Sequence, residues 1–242
     1  MKNKLLITAT ALALLIISLS SCEKKIHGEG PVVTQTRTFG EFTKILLGAP
    51  ALLYVTQEPG YKFTVDAQQN ILDILQTSVS DGELKIKFDN GKNISSHDKI
   101  IIRISAPLYE RLSISGSGNI SGTNTFQTTR LQLVVSGSGS ILLPDAAVSG
   151  DMDAFISGSG DIQINTGLAN AGTFSISGSG SMKMLNTTFK TLNVQISGSG
   201  SVEATVSQQL DAHISGSGSV WYKGSPTVNS HVSGSGSVKK IQ

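Results

Sequence analysis

The chain has 242 residues, enough for one large domain or two small ones, and its apolar fraction of 38% is adequate for a core despite 26 glycines. Aromatics (5%) and charged residues (15%) are both low. The formal charge of +2 belongs to Lys2 and Lys4; the remainder balances acids against bases without a basic run, which leaves no electrostatic case for nucleic acid.

Lys2 and Lys4 begin a leader whose apolar run, Leu5 to Leu19, is too short and too early to span a membrane. It ends in Leu19-Ser20-Ser21-Cys22, which looks like a bacterial lipobox. That resemblance implies cleavage after residue 21, a lipid on the Cys22 sulfur and acylation of the new N-terminus. An ordinary secretory leader containing a cysteine is the competing reading. Cys22 is the only cysteine and stands where the apolar run ends, which favours lipidation. Several acyl chains hold a protein stably on a bilayer, whereas one alone is marginal. A lipidated Cys22 leaves no disulfide to brace the fold. The expected partner is therefore a membrane, and the expected place is the cell envelope as an outer-membrane lipoprotein. Glu23-Lys24-Lys25 is not the acidic run associated with surface export of some bacterial lipoproteins, so the side of the membrane stays open. Residues 22–36, containing Gly28, Gly30 and Pro31, read as a tether to a single domain at 37–242.

Residues 37–110 are rich in strand signals. Phe42–Leu47, Ala51–Thr56, Tyr61–Asp66, Glu83–Phe88 and Lys99–Ser105 are β-like runs, and Glu58-Pro59-Gly60 and Asp81-Gly82 are turns. Asn70–Leu75 predicts one short helix capped by Asn70. Stacked repeats need a terminal cap, and this region is the natural one.

From residue 111 to 242 the chain repeats. Ser-Gly-Ser-Gly begins at Ser115, Ser136, Ser157, Ser177, Ser197, Ser215 and Ser233, at intervals of 21, 21, 20, 20, 18 and 18 residues. Val or Ile always precedes it, and a second apolar residue lies three before in most copies (Leu112, Leu133, Ala154, Phe174, Val194, Ala212). The position four before is always polar, so the period is two, as in a half-buried strand. After the motif the alternation resumes, as in Ile141–Leu143 and Ile162–Ile164. A fixed period of this length predicts stacked rungs: an all-β, parallel β-helix, right-handed because parallel crossovers almost always are. Two strands per rung are expected, with Ser-Gly-Ser-Gly as the constant corner and segments such as Thr123–Thr129 and Pro144–Gly150 as the variable one. Glycine allows the sharp turn, and the serines are expected to bond backbone or one another from rung to rung. A flexible Gly/Ser linker would not keep apolar residues at constant offsets. At the C-terminus, Lys239 and Lys240 discourage edge-to-edge stacking.

Little in the chain speaks for catalysis. No rung joins a serine to a histidine and a carboxylate in a distinctive way, and no Gly-x-Ser-x-Gly elbow occurs. Asp145, Asp151, Asp153, Asp161, Glu203 and Asp211 are spread over different offsets, so a polysaccharide-cleaving cluster is neither required nor excluded. The chain is read as non-enzymatic, with no catalytic residue, metal or cofactor assigned. His213 and His231 share one outward offset and should stack, able to contact a ligand, bind a metal or titrate together. With no third metal ligand evident, two plain exposed polar residues are the favoured reading. Phe155 and Trp221 are the remaining candidate ligand contacts. Exposed aromatics can stack on sugars or anchor a partner; Trp221 and Tyr222 can equally shield the last rungs.

The lipobox, the opening Phe39-Gly40-Glu41-Phe42-Thr43-Lys44-Ile45, the run Ile100–Pro107 and the Gly-Ser-Gly rungs together resemble the putative auto-transporter adhesin, head GIN domain family of bacteria, over about Thr38 to Lys239. The resemblance implies a right-handed β-helix related in shape to pectin-lyase solenoids, without an assigned catalytic centre, and a role in adhesion toward a host or envelope glycan or protein. A carbohydrate-binding or polysaccharide-processing β-helix is the alternative. Oligomeric state is not written in the chain.

Overall fold

In the computed structural model, which describes residues 25–89 and 93–242, each Ser-Gly-Ser-Gly copy lies beside the next in register. The chain opens with β1 (Lys25–His27), β2 (Val32–Thr36), β3 (Lys44–Leu47), β4 (Leu52–Gln57) and β5 (Lys62–Gln68). A single helical turn, α1 (Gln69–Leu72), leads to β6 (Leu75–Ser80), β7 (Glu83–Phe88), β8 (Asn93–Ser96) and β9 (Ile101–Ala106). The rungs contain β10 (Arg111–Gly116), β11 (Asn119–Gly122), β12 (Thr125–Gly137), β13 (Ser140–Leu143), β14 (Asp145–Gly158) and β15 (Asp161–Ile164). They continue through β16 (Gly167–Gly178), β17 (Ser181–Gly198), β18 (Ser201–Gly216), β19 (Ser219–Lys223), β20 (Thr227–Gly234) and β21 (Ser237–Lys240).

The alternation decides which side chains enter the coil. In β12, Leu131, Leu133 and Val135 are buried, and in β17 Leu192, Val194 and Ile196 are. Their inward columns make one continuous core, in which Phe174 meets Phe189 edge-on at 5.2 Å between ring centres. Gly172 fits this packing because a methyl there would sit 2.7 Å from Leu192 and 3.0 Å from Phe189.

The motif's two glycines are needed for different reasons. The first is left-handed in every copy, with φ from 121° at Gly116 to 129° at Gly178, a conformation other residues avoid. The second is required for contact: a Cβ at Gly180 would meet the Gly160 carbonyl at 2.5 Å and Ile156 Cγ2 at 2.6 Å. Backbone bonds hold the corner together. The Ser179 amide donates to the Gly158 carbonyl at 2.9 Å, and the Ser181 amide to that of Gly160 at 3.1 Å. The motif's own serines are exposed. No continuous hydroxyl ladder forms. One position later Ser140 Oγ donates to Asn119 Oδ1 at 2.7 Å and Ser219 and Ser237 stand 3.4 Å apart, while the buried Ser181 hydroxyl between them in the column makes no hydrogen bond.

Several sequence expectations change. The variable segment is not a loop: Phe126 pairs with Ala146, Ala146 with Gly167 and Gly167 with Thr187, making a third strand segment in those rungs. Bulges between it and the pre-motif strand absorb the changes in length. Phe126, Ala146, Val148, Ala169, Phe189 and Val206 point inward from it.

The cap is itself partly coil. Lys44 to Leu47 pair with Arg111 to Ile114 on one side and with Glu83 to Ile86 on the other, while β4 pairs with β11 and β9. Gly48-Ala49-Pro50-Ala51 thus occupies the place of Ser-Gly-Ser-Gly in a layer without the motif. Antiparallel β5, β2 and β6 then close the end. The helical turn is N-capped at Gln68, without a side-chain bond, rather than at Asn70. Nor are residues 22–36 a tether throughout, since β1 pairs with β8 and β2 with β5. At the other end the inward positions Val228, Val232 and Val238 are only partly covered.

Candidate functional site

Stacking converts each outward sequence offset into a column along the coil, buried only at its first member, Ser113, in the case that follows. Two residues before the motif, Ser113, Val134, Phe155, Ser175, Gln195, His213 and His231 pair in succession. Phe155, His213 and His231 are therefore brought onto one face. His213 and His231 are adjacent and exposed, with ring centres 6.2 Å apart. Phe155 is half-buried three layers away, about 14 Å at the ordinary strand spacing. Trp221 does not join them. It pairs with Glu203 and Lys239 on the post-motif strand, half-buried between two charged neighbours. Cys22 lies outside the described residues.

Beside the histidine column runs a polar one: Gln132, Asp153, Thr173, Asn193, Asp211 and Asn229. Its carboxylates are engaged separately. Asp153, 8% exposed, accepts from Arg130 Nη2 at 2.8 Å, and this bond raises the Arg130 guanidinium above its usual value. Asp211 accepts from Gln209 Nε2 at 2.6 Å and Asn229 Nδ2 at 2.8 Å. Outside this column, on the third strand segment, Asp145 accepts from Thr125 Oγ1 at 2.9 Å. Among the described residues, no three of His, Cys, Asp and Glu converge to hold a metal ion. The two columns present amides, hydroxyls and single charges, with Val134 and Phe155 among them, and a concavity of about 300 Å³ lies beside His213 and His231.

The sequence reading missed an open concavity of about 550 Å³ at the junction of cap and rungs, lined by Gln57, Glu58, Pro107, Asn124 and Gln127 among others. Gln57 Nε2 donates to the carbonyls of Pro107 at 3.0 Å and Gln127 at 2.8 Å, and its Oε1 accepts from the Gln127 amide at 2.8 Å. Asn124 bonds both backbone groups of Gln57. Behind them Tyr109 is fully buried, donating toward the Thr56 and Ile104 carbonyls at 3.3 and 3.4 Å; burial, then the Glu58 charge, pushes its phenol well above the ordinary value. Lys62 donates to Glu58 at 3.0 Å and holds that carboxyl below the usual range. The amides here are committed to structure. Also missed was Leu168, which at 55% is conspicuously exposed on the third strand segment.

A family model described as "Putative auto-transporter adhesin, head GIN domain" matches residues 41–226. No curated protein matches the chain. Among solved structures, a putative adhesin from Bacteroides fragilis superposes with a TM-score of 0.84 at 25% identity, covering 89% of this chain and all of its own. A protein from Parabacteroides distasonis described as a putative lipid binding protein gives 0.76 at 24% identity, over 90% of this chain and 100% of its own. A putative adhesin from Parabacteroides merdae gives 0.71 at 21% identity, over 90% and 99%.

Proposed function

The chain belongs to the family described as putative auto-transporter adhesin, head GIN domain, and from that membership we propose that it is a non-enzymatic adhesion or surface-interaction module, anchored to the cell envelope through lipid on Cys22. One observation carries the reading: polar side chains stack in register along the outer surface, while Asp153 and Asp211 in their column are bonded one by one instead of converging. A regular array at strand spacing offers a repeating polymer or a second protein many equivalent hydrogen bonds. The adhesin description of the Bacteroides fragilis protein supports the same reading.

The test uses the full chain bearing Cys22→Ala, which should leave the membrane fraction and remain soluble in the envelope. Applied to arrays of glycans and matrix proteins, it should bind without releasing any product. Saccharide cleavage with turnover would overturn the non-enzymatic reading. Persistent membrane attachment of Cys22→Ala would overturn the lipid anchor.

A further inference from the structure

Strand β1 is fastened to the cap. Ile26 pairs with Ile94 and His27 with Ser96, the Gly28 amide donates to the Ser96 carbonyl at 2.8 Å, and Asn70 Nδ2 donates to the His27 carbonyl at 2.6 Å. Gln68 extends the fastening by donating to the Gly30 carbonyl at 3.2 Å and accepting from the Asp98 amide at 3.1 Å. From Cys22 to Lys25 the chain can reach at most about 11 Å, whatever its conformation. A lipid on Cys22 therefore keeps the head-group layer close to β1 and β8, at the capped end of the coil.

Immediately after β8 the surface carries a concavity with one lysine at its rim. About 310 Å³ in volume, it is lined by His97, Lys99, Ser117 and Asn119 over Ala51 and Ile100; among the described residues no carboxylate lines it, the nearest in the chain being the exposed Asp98. His97 Nδ1 lies 2.6 Å from the Asp98 carbonyl and is taken up by that contact, so the positive charge at this concavity is that of Lys99. Lys99 is exposed at the rim. Ser117 and Asn119 come from the first motif corner, so the coil itself supplies one wall.

We propose that this concavity docks the phosphate of a phospholipid head group in the protein's own membrane. The inference rests on the Cys22 anchor, which brings the site within reach of that surface. The capped end then sits in the head-group layer, and the last rung, with His231, lies as much as about 40 Å away, reckoned from the spacing of stacked strands. The outer face described above becomes the part presented to a partner.

The full-length Cys22→Ala chain should co-sediment with vesicles containing an anionic phosphoglycerol lipid more strongly than with phosphocholine vesicles. Lys99→Gln should weaken this by about fivefold, the effect of one cation near a charged surface. Lys183→Gln, on an exposed rung position, should leave it unchanged. Equal sedimentation with both vesicles, or equal losses from both substitutions, would overturn the proposal. So would glycerol phosphate binding as tightly as the vesicles, since the site would then be one for free anions. These outcomes are separate from the anchor reading, which fails only if Cys22→Ala stays in the membrane fraction of cells.

Discussion

At its N-terminal end the coil is closed, and at its C-terminal end it is open. β5, β2 and β6 run antiparallel across the first layers and bury Ile45, Leu84 and Phe63 almost completely. β20 and β21 have a neighbour on one side only, and Val232 remains 37% exposed at a position that is buried in every earlier rung. Two further inward positions are polar there: Ser230 follows Ala212 in its column, and Lys240 follows Tyr222. A rung cannot bury its own apolar face and depends on the next layer. The closed end solves this by changing strand direction, and the open end by giving up apolar side chains. Ser230 and Lys240 are exposed, and Lys240 Nζ donates to Ser225 Oγ at 3.3 Å. A lysine on the last strand also discourages another from adding.

This contrast can be broken in order of expected effect. Phe174→Ala, in the middle of the coil, should cost about 3–5 kcal/mol in urea unfolding, because the stacked layers cannot collapse onto the vacated volume. A loss no larger than that of a surface substitution would mean that the middle rungs are not the cooperative core. Gln57→Ala, at the join between cap and rungs, removes bonds to the Pro107 and Gln127 backbone and should cost about 1–2 kcal/mol. Its hydrogen-exchange signature should be faster exchange at Gln127, with protection in β17 retained.

Asp66 makes the closed end acid-sensitive. Its bond from Arg103 Nη1 at 2.6 Å, and then that from Thr34 at 2.7 Å, hold its carboxyl below the usual value. A lowered folded pKa gives stability that is complete above the unfolded value of about 3.9 and fades as pH falls past the folded one. Asp66→Asn should therefore cost about 1 kcal/mol or less at neutral pH and flatten the acid limb of the stability profile. An unchanged acid limb would remove Asp66 from the account. Val232→Ala, at the open end, should change stability by about 0.5 kcal/mol or less, since the site is already half in water. A cost approaching that of Phe174→Ala would show that the last rung is covered in solution.

How much could be read in advance differs between the two regions. In the rungs, the residues before and after each motif repeat at constant offsets, so the inward set and the stacking of His213 on His231 followed from counting. The third strand segment was hidden because bulges shift its register and Thr187 sits inward where an apolar residue would have marked it. In the cap, Gly48–Ala51 turns the same corner without the motif, so there was nothing to count. β2 is exposed along its whole length and shows no alternation. The concavity at Gln57 unites residues up to 70 positions apart, and no local pattern reports such a meeting.

The amino-acid sequence by itself therefore determined the coil, its inward columns and the need for glycine at the corner, because alternation and the steric limits on φ act within a few neighbouring residues and recur in each rung. Only the tertiary structure decided the third strand segment, the motif-free layers of the cap and the fastening of β1 beside the His97 and Lys99 concavity. Those depend on pairings between residues far apart in the chain, whose geometry exists only once the layers have stacked.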